Sequence, residues 1–287
     1  MTRPRWHVRG AVLDPNQGTV IMGVVNATPD SFSDGGRCLS EDSAVALGLR
    51  MWRQGAHIVD VGGESTRPGA AEVSEEEELG RVVCVVARLA SAGVLVSIDT
   101  SKPGVAEAAI EAGAAVLNDI TALEDPEMAR VCASTGVGVV LMHMRGNPRT
   151  MQVDPYYADV VTEVGEYLRE RIGAATAAGV DRHAIAVDPG IGFGKTLHHN
   201  LALLNGLPDL AGLGRPVLVG ASRKAFLGAL TDRSVEERDS VTAVASGIGA
   251  MLGASVMRVH DVPSTRDALA LADAMVATME GSDADRK

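Results

Sequence analysis

The stretch QGAHIVDVGGES (residues 54–65) contains the pattern that decides the fold of this chain. A glycine closes a helix-like segment, a short β-branched run follows at once, and that run stops at glycine and polar residues. The same order recurs along the chain, with stretches rich in Ala, Leu, Glu and Arg between the runs. The apolar runs that end in this way span residues 19–25, 57–62, 94–98, 115–117, 137–142, 184–187, 216–220 and 255–257.

This repetition predicts an α/β fold, a single (β/α)8 TIM barrel with long loops after strands 1 and 2. The 287 residues suit one such domain. An open, doubly wound parallel sheet is the alternative, but it calls for a GxGxxG turn after the first strand, and no such turn follows that strand. We expect an N-terminal arm at 1–18, the barrel at 19–280 and a flexible tail at 281–287.

The connections between the predicted elements are of two kinds. Each helix-to-strand connection is short and contains a glycine, whereas residues 26–40, 62–74 and 144–155 form long segments without apolar periodicity. Active sites of these barrels lie at the carboxyl ends of the strands, in the loops that lead from strand to helix. The three long segments therefore predict the functional face.

Composition limits the classes of function. The net charge of −11 argues against binding of nucleic acid or of anionic membranes. The three cysteines, Cys38, Cys84 and Cys132, are widely spaced and form no CxxC motif, which indicates reduced thiols in a cytoplasmic protein. No apolar run reaches the ~18 residues of a membrane span, and no secretion signal begins the chain.

Polar residues at the strand ends predict a binding basin. An aspartate only accepts hydrogen bonds, a lysine only donates, and asparagine does both. Asp188 with Asn118 could therefore grip a flat ring edge that carries adjacent N–H groups, with Lys224 opposite. Leaving any such buried group unpaired costs about 1–3 kcal/mol, which favours a polar ligand. The residues that share this face are Asn26, Asp99, Asn118, Asp188, Lys224, Arg258 and His260.

A basic cluster at the same face predicts an anionic group on the substrate. Phosphate or pyrophosphate is the natural candidate, and the amide oxygen of Asn26 could hold a metal ion. The residues alone thus indicate a barrel enzyme acting on a flat, polar, phosphorylated small molecule, and they leave the substrate open. The cluster consists of Arg67, Arg223, Lys224, Arg258 and His260.

Eight motifs resemble those of the dihydropteroate synthase family, in family order and across nearly the whole chain. They are MGVVNATPDSFSDGG (22–36), VDVGGESTRPGA (59–70), SIDTSKPGVAEAA (97–109), LNDI (117–120), MHMRGNPRTMQ (142–152), DPGIGFGKTLHHNLALL (188–204), GASRKAFLG (220–228) and RVHDV (258–262). The family joins 6-hydroxymethyl-7,8-dihydropterin diphosphate to 4-aminobenzoate, which yields 7,8-dihydropteroate and pyrophosphate, and it is the target of sulfonamides.

The resemblance implies roles for the strand-end residues. Asp188 would take the 2-amino and N3–H edge of the pterin, Asn118 and Lys224 other ring atoms, and Asp99 a deeper position. Arg258 would stack on the ring face. The pyrophosphate group would contact Asn26, Thr66, Arg67, Arg258 and His260, with Mg²⁺ held through Asn26.

The resemblance also implies a dissociative substitution in which the C9–O bond breaks first. The residues assigned to catalysis are Asp34, Asp99, Lys224 and Arg258, and the two aspartates would lie near the pterin cation. The aminobenzoate pocket would consist of Phe32, Thr66, Arg67, Pro68, Phe193 and Ser222. A homodimer formed through outer helices near the C-terminus is the expected assembly.

Three alternatives remain open at this level. A methyltetrahydrofolate–corrinoid methyltransferase would share the pterin clamp but has no use for a pyrophosphate site. An aldolase could form a Schiff base on Lys224, and a paralogue could bind pterin without turnover. The roles of His143 and Asp60 are not assigned.

Overall fold

Eight parallel strands form the central sheet of the structure, a computed structural model that describes residues 2–27, 41–65 and 72–284. Two further strands lie in the N-terminal segment and pair only with each other. The strands are β1 (Trp6–Val8), β2 (Ala11–Leu13), β3 (Val20–Asn26), β4 (Ile58–Gly62), β5 (Val96–Asp99), β6 (Val116–Asp119), β7 (Gly138–Met142), β8 (Ile185–Asp188), β9 (Leu218–Val219) and β10 (Val256–Val259).

The eight-stranded sheet curves into a barrel. Its hydrogen-bonded order is β8-β7-β6-β5-β4-β3-β10-β9, and every neighbouring pair is parallel. A parallel bridge between Val187 and Val217 joins β8 to the residue just before β9, and the N–H of Val187 donates to the carbonyl of Pro216 at 2.9 Å. The bridge brings the two outer strands together, and the predicted TIM barrel is confirmed.

Helices follow the barrel strands and cover the outside of the sheet. Their inner faces contribute valine, leucine and alanine to one large buried cluster with the outward side chains of the strands. Within the described ranges, no helix combines the length and apolar character needed to cross a membrane. The helices are α1 (Glu41–Arg53), α2 (Glu75–Ser91), α3 (Pro103–Glu111), α4 (Pro126–Thr135), α5 (Val160–Ala177), α6 (Leu197–Asn205), α7 (Leu207–Ala211), α8 (Ala225–Thr231), α9 (Asp239–Met251) and α10 (Val262–Ala284).

The N-terminal segment packs against the amino-terminal ends of the barrel strands. Strands β1 and β2 form an antiparallel hairpin, which places Trp6 in the barrel base with no exposed surface. The indole N–H of Trp6 donates to the carbonyl of Ala184 at 2.7 Å, so its one polar group is satisfied in the interior. Trp6 and Val8 join a buried cluster with apolar residues of the strands. The base of the barrel is therefore filled by apolar side chains.

Candidate active site at the carboxyl ends of the barrel strands

A cavity of about 570 Å³ opens at the carboxyl ends of the strands, a volume that suits a small organic molecule. A second cavity of about 590 Å³ adjoins it, and both are lined by Glu64, Ser65 and Asp99. Many of the residues that sequence reasoning assigned to the site line the first cavity. These are Asn26, Asp99, Phe193, Ser222, Lys224, Arg258 and His260.

The other two predicted pterin residues, Asn118 and Asp188, are buried at the ends of β6 and β8, with 4 % and 6 % of their surface exposed. The Asn118 amide donates from Nδ2 to the carboxylate of Asp60 at 3.1 Å. Asp188 accepts a hydrogen bond from the backbone N–H of Gly190 through Oδ1, at 2.7 Å. Burial raises the pKa of Asp188, and the Gly190 N–H, Lys224, Arg258 and Lys195 oppose that rise.

Arg258 is held between two carboxylates from neighbouring strands. Its Nε donates to Oδ2 of Asp60 at 2.6 Å, and its Nη2 donates to Oδ2 of Asp99 at 2.5 Å. Asp60 is fully buried in β4, whereas Asp99 ends β5 and reaches the cavity. The guanidinium plane is therefore fixed at two of its edges, which leaves its faces and its three other N–H groups for a ligand.

Burial and neighbouring charges shift the pKa values of this ion-pair network. Burial raises the pKa of Asp99 to about 7; Arg258 opposes the rise, while Asp60, Glu78 and Asp119 add to it. Burial disfavours the charge of Arg258, but Asp60 and Asp99 outweigh it and raise the pKa of the guanidinium. Near neutral pH, Asp99 can therefore exchange a proton while Arg258 stays charged.

Lys195 is a buried lysine in the loop after β8 that the sequence did not single out. Its Nζ lies 3.0 Å from Nδ1 of His143 and donates to the carbonyls of Phe193 at 2.9 Å and His143 at 3.3 Å. Burial lowers the pKa of Lys195 to about 7 and that of His143 to about 3. His143 is therefore neutral near pH 7, and its Nδ1 is the acceptor when Lys195 is protonated.

Phe193, whose backbone carbonyl accepts from Lys195, lines the cavity. The Phe193 ring packs with Met142 and Met151 on one side, and the Nζ of Lys224 lies 4.0 Å from its centroid. This distance is within the range of a cation–π contact. The sequence prediction had placed Phe193 and Lys224 in two different subsites, and the structure brings them into direct contact.

Ser222 and His260 also touch. The hydroxyl of Ser222 lies 2.9 Å from Nδ1 of His260 and accepts the backbone N–H of His260 at 3.1 Å. Ser222 was assigned to the aminobenzoate pocket and His260 to the pyrophosphate site. Residues predicted for two different subsites thus adjoin at the ends of β9 and β10.

Arg223, a member of the predicted basic cluster, pairs with a carboxylate of α9, Asp239. Nε and Nη2 donate to the two carboxylate oxygens of Asp239 at 2.7 Å each, a bidentate pair. Arg223 also has a φ of +57°, and its N–H donates to Thr242. We infer that Arg223 shapes the strand-to-helix turn that presents Lys224.

Five predicted site residues lie outside the residues that the structure describes: Phe32, Asp34, Thr66, Arg67 and Pro68. Ion pairs and a backbone hydrogen bond hold the described ends of the second long loop. Lys102 bonds the carboxylates of both Glu64 and Glu78, the latter at 2.5 Å, and Glu64 accepts the N–H of Val73 at 3.3 Å. The Glu64 side chain, at the start of this loop, therefore bonds both Lys102 and the backbone N–H of Val73 near the end of the loop.

Within residues 2–27, 41–65 and 72–284, no group of three or more His, Cys, Asp or Glu side chains could hold a metal ion by itself. Asn26 ends β3 and lines the cavity. Mg²⁺ is commonly bound by one or two protein oxygens together with substrate phosphates and water. The amide oxygen of Asn26 fits that mode of binding, in which the substrate supplies most of the ligands.

Comparison with known proteins agrees with this arrangement. Residues 22–260 match the family described as pterin binding enzyme. The dihydropteroate synthase of Escherichia coli (strain K12) is 47 % identical over 261 residues, which cover 91 % of this chain and 93 % of that protein.

Solved structures agree as well. The Yersinia pestis dihydropteroate synthase in complex with a sulfonamide drug superposes with a TM-score of 0.91 at 44 % identity, covering 95 % of this chain and 99 % of that one. The Xanthomonas albilineans dihydropteroate synthase with 4-aminobenzoic acid superposes with a TM-score of 0.89 at 47 % identity, covering 96 % of this chain and 98 % of that one.

Proposed function

Because the chain belongs to the dihydropteroate synthases of the pterin binding enzyme family, we propose that it joins 6-hydroxymethyl-7,8-dihydropterin diphosphate to 4-aminobenzoate. The products are 7,8-dihydropteroate and pyrophosphate. One structural observation supports the assignment: a single hydrogen-bonded network lies beside the cavity. It joins two buried residues, Asp60 and Asn118, to two residues that line the cavity, Asp99 and Arg258. A pyrophosphate-release assay tests it, because release must require both substrates.

The pterin subsite would use Asp99, Asn118, Asp188, Lys224 and Arg258. A pterin edge carries adjacent N–H donors, which match the acceptor oxygens of Asp188, while Lys224 can donate to a ring carbonyl or nitrogen. Burial of Asn118 and Asp188 supports this assignment, because each would otherwise leave polar capacity unused in the interior. The apolar side chain of Met142 ends β7 beside these residues and suits a ring face.

The anion subsite would use Arg258 and His260 together with Thr66 and Arg67 of the second loop. Asn26 would hold Mg²⁺ through its amide oxygen, and the ion, when bound, would neutralise charge on the diphosphate. The positive charge of Arg258 persists near neutral pH, since Asp60 and Asp99 raise the pKa of its guanidinium against the effect of burial.

The aminobenzoate subsite would use Phe193 and Ser222 with Phe32, Thr66 and Pro68. Its position next to His260 is supported by the contact of Ser222 with that histidine. A sulfonamide that resembles 4-aminobenzoate would occupy this subsite, and the protein is therefore a sulfonamide target.

In the reaction, the C9–O bond breaks and its electron pair leaves with pyrophosphate. Asp99, with Asp34 of the first loop, would stabilise the pterin cation that remains, and Lys224 and Arg258 would hold the ring. The amine nitrogen of 4-aminobenzoate then bonds to C9 and releases one proton. Long loops after β3 and β4 would keep water from the cation until the amine arrives.

The assembly that we propose is a homodimer through the outer surfaces of α9 and α10. These two helices pack against each other and expose several apolar side chains. Exposed apolar patches often mark protein–protein interfaces. The exposed residues are Val244, Ile248, Met251, Leu271 and Met275. Light scattering after size-exclusion chromatography tests this, and a chain of 29.8 kDa that elutes at its monomer mass would contradict it.

The cellular site that we propose is the cytoplasm. Cys84 and Cys132 are free thiols, one exposed and one buried, as expected in a reducing compartment.

A further inference from the structure

Asp60 is a charged residue in the middle of a strand with no exposed surface. Placing a carboxylate in the interior costs several kcal/mol of desolvation, as an order of magnitude, unless partners compensate it. Its partners come from two other strands: Asn118 at the end of β6 and Arg258 in β10. The hydrophobic effect does not explain why an aspartate occupies this buried position, so its polar contacts must be considered.

Both partners bond the same oxygen of Asp60. Oδ2 accepts from Nδ2 of Asn118 at 3.1 Å and from Nε of Arg258 at 2.6 Å. The other oxygen, Oδ1, is buried and has no hydrogen-bond partner among the described residues. An ion pair kept for stability alone would be expected to satisfy both oxygens, because an unmet acceptor in the interior costs about 1–3 kcal/mol.

The contact with Asp60 decides which way the Asn118 amide faces. A carboxylate paired with a guanidinium only accepts hydrogen bonds, so the atom of Asn118 that faces it must be Nδ2. The amide oxygen then lies on the opposite side of the group. Asn118 is thereby presented to a ligand as an acceptor for an N–H group.

The contact with Asp60 also fixes Arg258. Asp60 bonds Nε and Asp99 bonds Nη2, so that two edges of the guanidinium are held by separate strands. Without Asp60 the guanidinium would keep only the bond to Asp99 and could rotate about it. Asp60 is also one of the charges that raise the pKa of Asp99.

We propose that Asp60 is a positioning residue of the pterin subsite, which orients the Asn118 amide and the Arg258 guanidinium for the ring without touching the reacting atoms. This inference rests on the proposed function. It assigns a role to a residue that lies outside the predicted set of ligand contacts.

A double-mutant cycle between Asp60 and Asn118 tests the proposal. The probe is 6-hydroxymethylpterin, which has no leaving group and cannot react, and its Kd is measured by calorimetry for wild type, Asp60→Asn, Asn118→Ala and the double variant. We expect Asp60→Asn and Asn118→Ala each to weaken binding by about tenfold or more, the effect of one misplaced polar contact. In the Asp60→Asn background, Asn118→Ala should then weaken binding by less than about threefold.

Ser97→Ala is the matched control. Ser97 lies opposite Asp60 on β5, is equally buried, and its hydroxyl also has no partner among the described residues. Its variant should bind the probe as wild type does. Thermal unfolding of all variants reports stability separately, and Asp60→Ala replaces Asp60→Asn in the cycle if the latter does not fold.

The proposal is overturned if Asp60→Asn lowers the Tm but leaves the Kd unchanged, or if the two substitutions weaken binding by independent factors that multiply. Failure of the proposed function gives a different result, because wild-type protein would then release no pyrophosphate in the presence of both substrates, whatever its Kd for 6-hydroxymethylpterin.

Discussion

The Nη2 of Arg258 lies 2.5 Å from Oδ2 of Asp99 at the wall of the cavity. Arg258 stays positively charged, whereas the pKa of Asp99 is raised. Burial raises the pKa of Asp99 to about 7, so the aspartate changes charge near neutral pH. The anionic form is the one that can both hold Arg258 and stabilise a pterin cation.

The first prediction concerns the pH dependence of turnover. As the pH rises through about 7, Asp99 loses its proton, so kcat/KM should rise along a limb with this apparent pKa. Asp99→Asn cannot titrate and should lack the limb, with activity lowered by about 100-fold or more. A profile that keeps the same limb in Asp99→Asn would assign it to another group.

The free energy of unfolding should depend on pH through Lys195. Its pKa is lowered by burial from 10.5 to about 7 in the fold, so between these values the unfolded chain holds a proton that the folded chain has released. The free energy of unfolding should therefore gain from this group about 1.4 kcal/mol per pH unit as the pH rises through that window. Urea unfolding at several pH values should show this increment in wild type and not in Lys195→Met.

Lys102→Met is the control for that measurement. Carboxylates of Glu64 and Glu78 raise the pKa of Lys102 against the effect of burial, so it stays protonated in both states across the window. Its removal should leave the slope unchanged. An unaltered slope in Lys195→Met would show that Lys195 is charged in the fold.

Phe193→Leu should affect 4-aminobenzoate more than pterin. The ring of Phe193 receives the Nζ of Lys224 at 4.0 Å, and leucine keeps most of the volume but not the ring face. We expect the KM for 4-aminobenzoate to rise about three- to tenfold, from loss of one aromatic contact. Steady-state kinetics with each substrate varied in turn measures this. An equal rise in both KM values would remove Phe193 from that subsite.

Ser222→Ala should weaken retention of the diphosphate. The hydroxyl fixes both the backbone N–H and Nδ1 of His260, so its loss frees the imidazole. Product inhibition by pyrophosphate should weaken by about three- to tenfold, the effect of one lost hydrogen bond. Inhibition constants for pyrophosphate in wild type and variant decide this, and equal constants would place His260 outside the anion site.

Sulfonamide inhibition should be competitive with 4-aminobenzoate. The apparent inhibition constant of sulfamethoxazole should rise in proportion to the concentration of 4-aminobenzoate, because both need the subsite beside Phe193 and Ser222. Inhibition that does not depend on 4-aminobenzoate, or none at all, would contradict this subsite assignment.

The sequence predicted the barrel and the face of the site because both follow from local patterns. Each apolar run could be recognised as a buried strand, and the polar residue at its end, such as Asn26 or Asp188, was placed at the shared carboxyl edge by the geometry of parallel strands alone. The residues gathered at the cavity include most of those named in this way.

Contacts that form only when the barrel closes could not be predicted from the sequence. Asp60 looked like an interruption of an apolar strand, because its partners Asn118 and Arg258 lie 58 and 198 residues away. Lys195 was not singled out from sequence, and in the structure it follows the left-handed glycines 190, 192 and 194 and lies next to His143. A charged residue inside a run of β-branched residues was the signal that could have identified Asp60.

Arg223 and Arg258 illustrate the same limit for charge. Both follow an apolar run and appear equivalent in sequence. Both line the cavity, but Arg258 bonds Asp60 and Asp99 of the barrel strands, whereas Arg223, whose φ is +57°, pairs with Asp239 of α9. The sequence does not tell which carboxylate each arginine meets, because Asp239 lies 16 residues from Arg223 and Asp60 lies 198 residues from Arg258.

Chromatography of the product tests the central claim most directly. The protein is incubated with 6-hydroxymethyl-7,8-dihydropterin diphosphate and 4-aminobenzoate, and 7,8-dihydropteroate and pyrophosphate are quantified together. We predict that the two products appear in equal amounts and only when both substrates are present. Pyrophosphate released without 7,8-dihydropteroate, or no product from folded protein, would contradict the assignment.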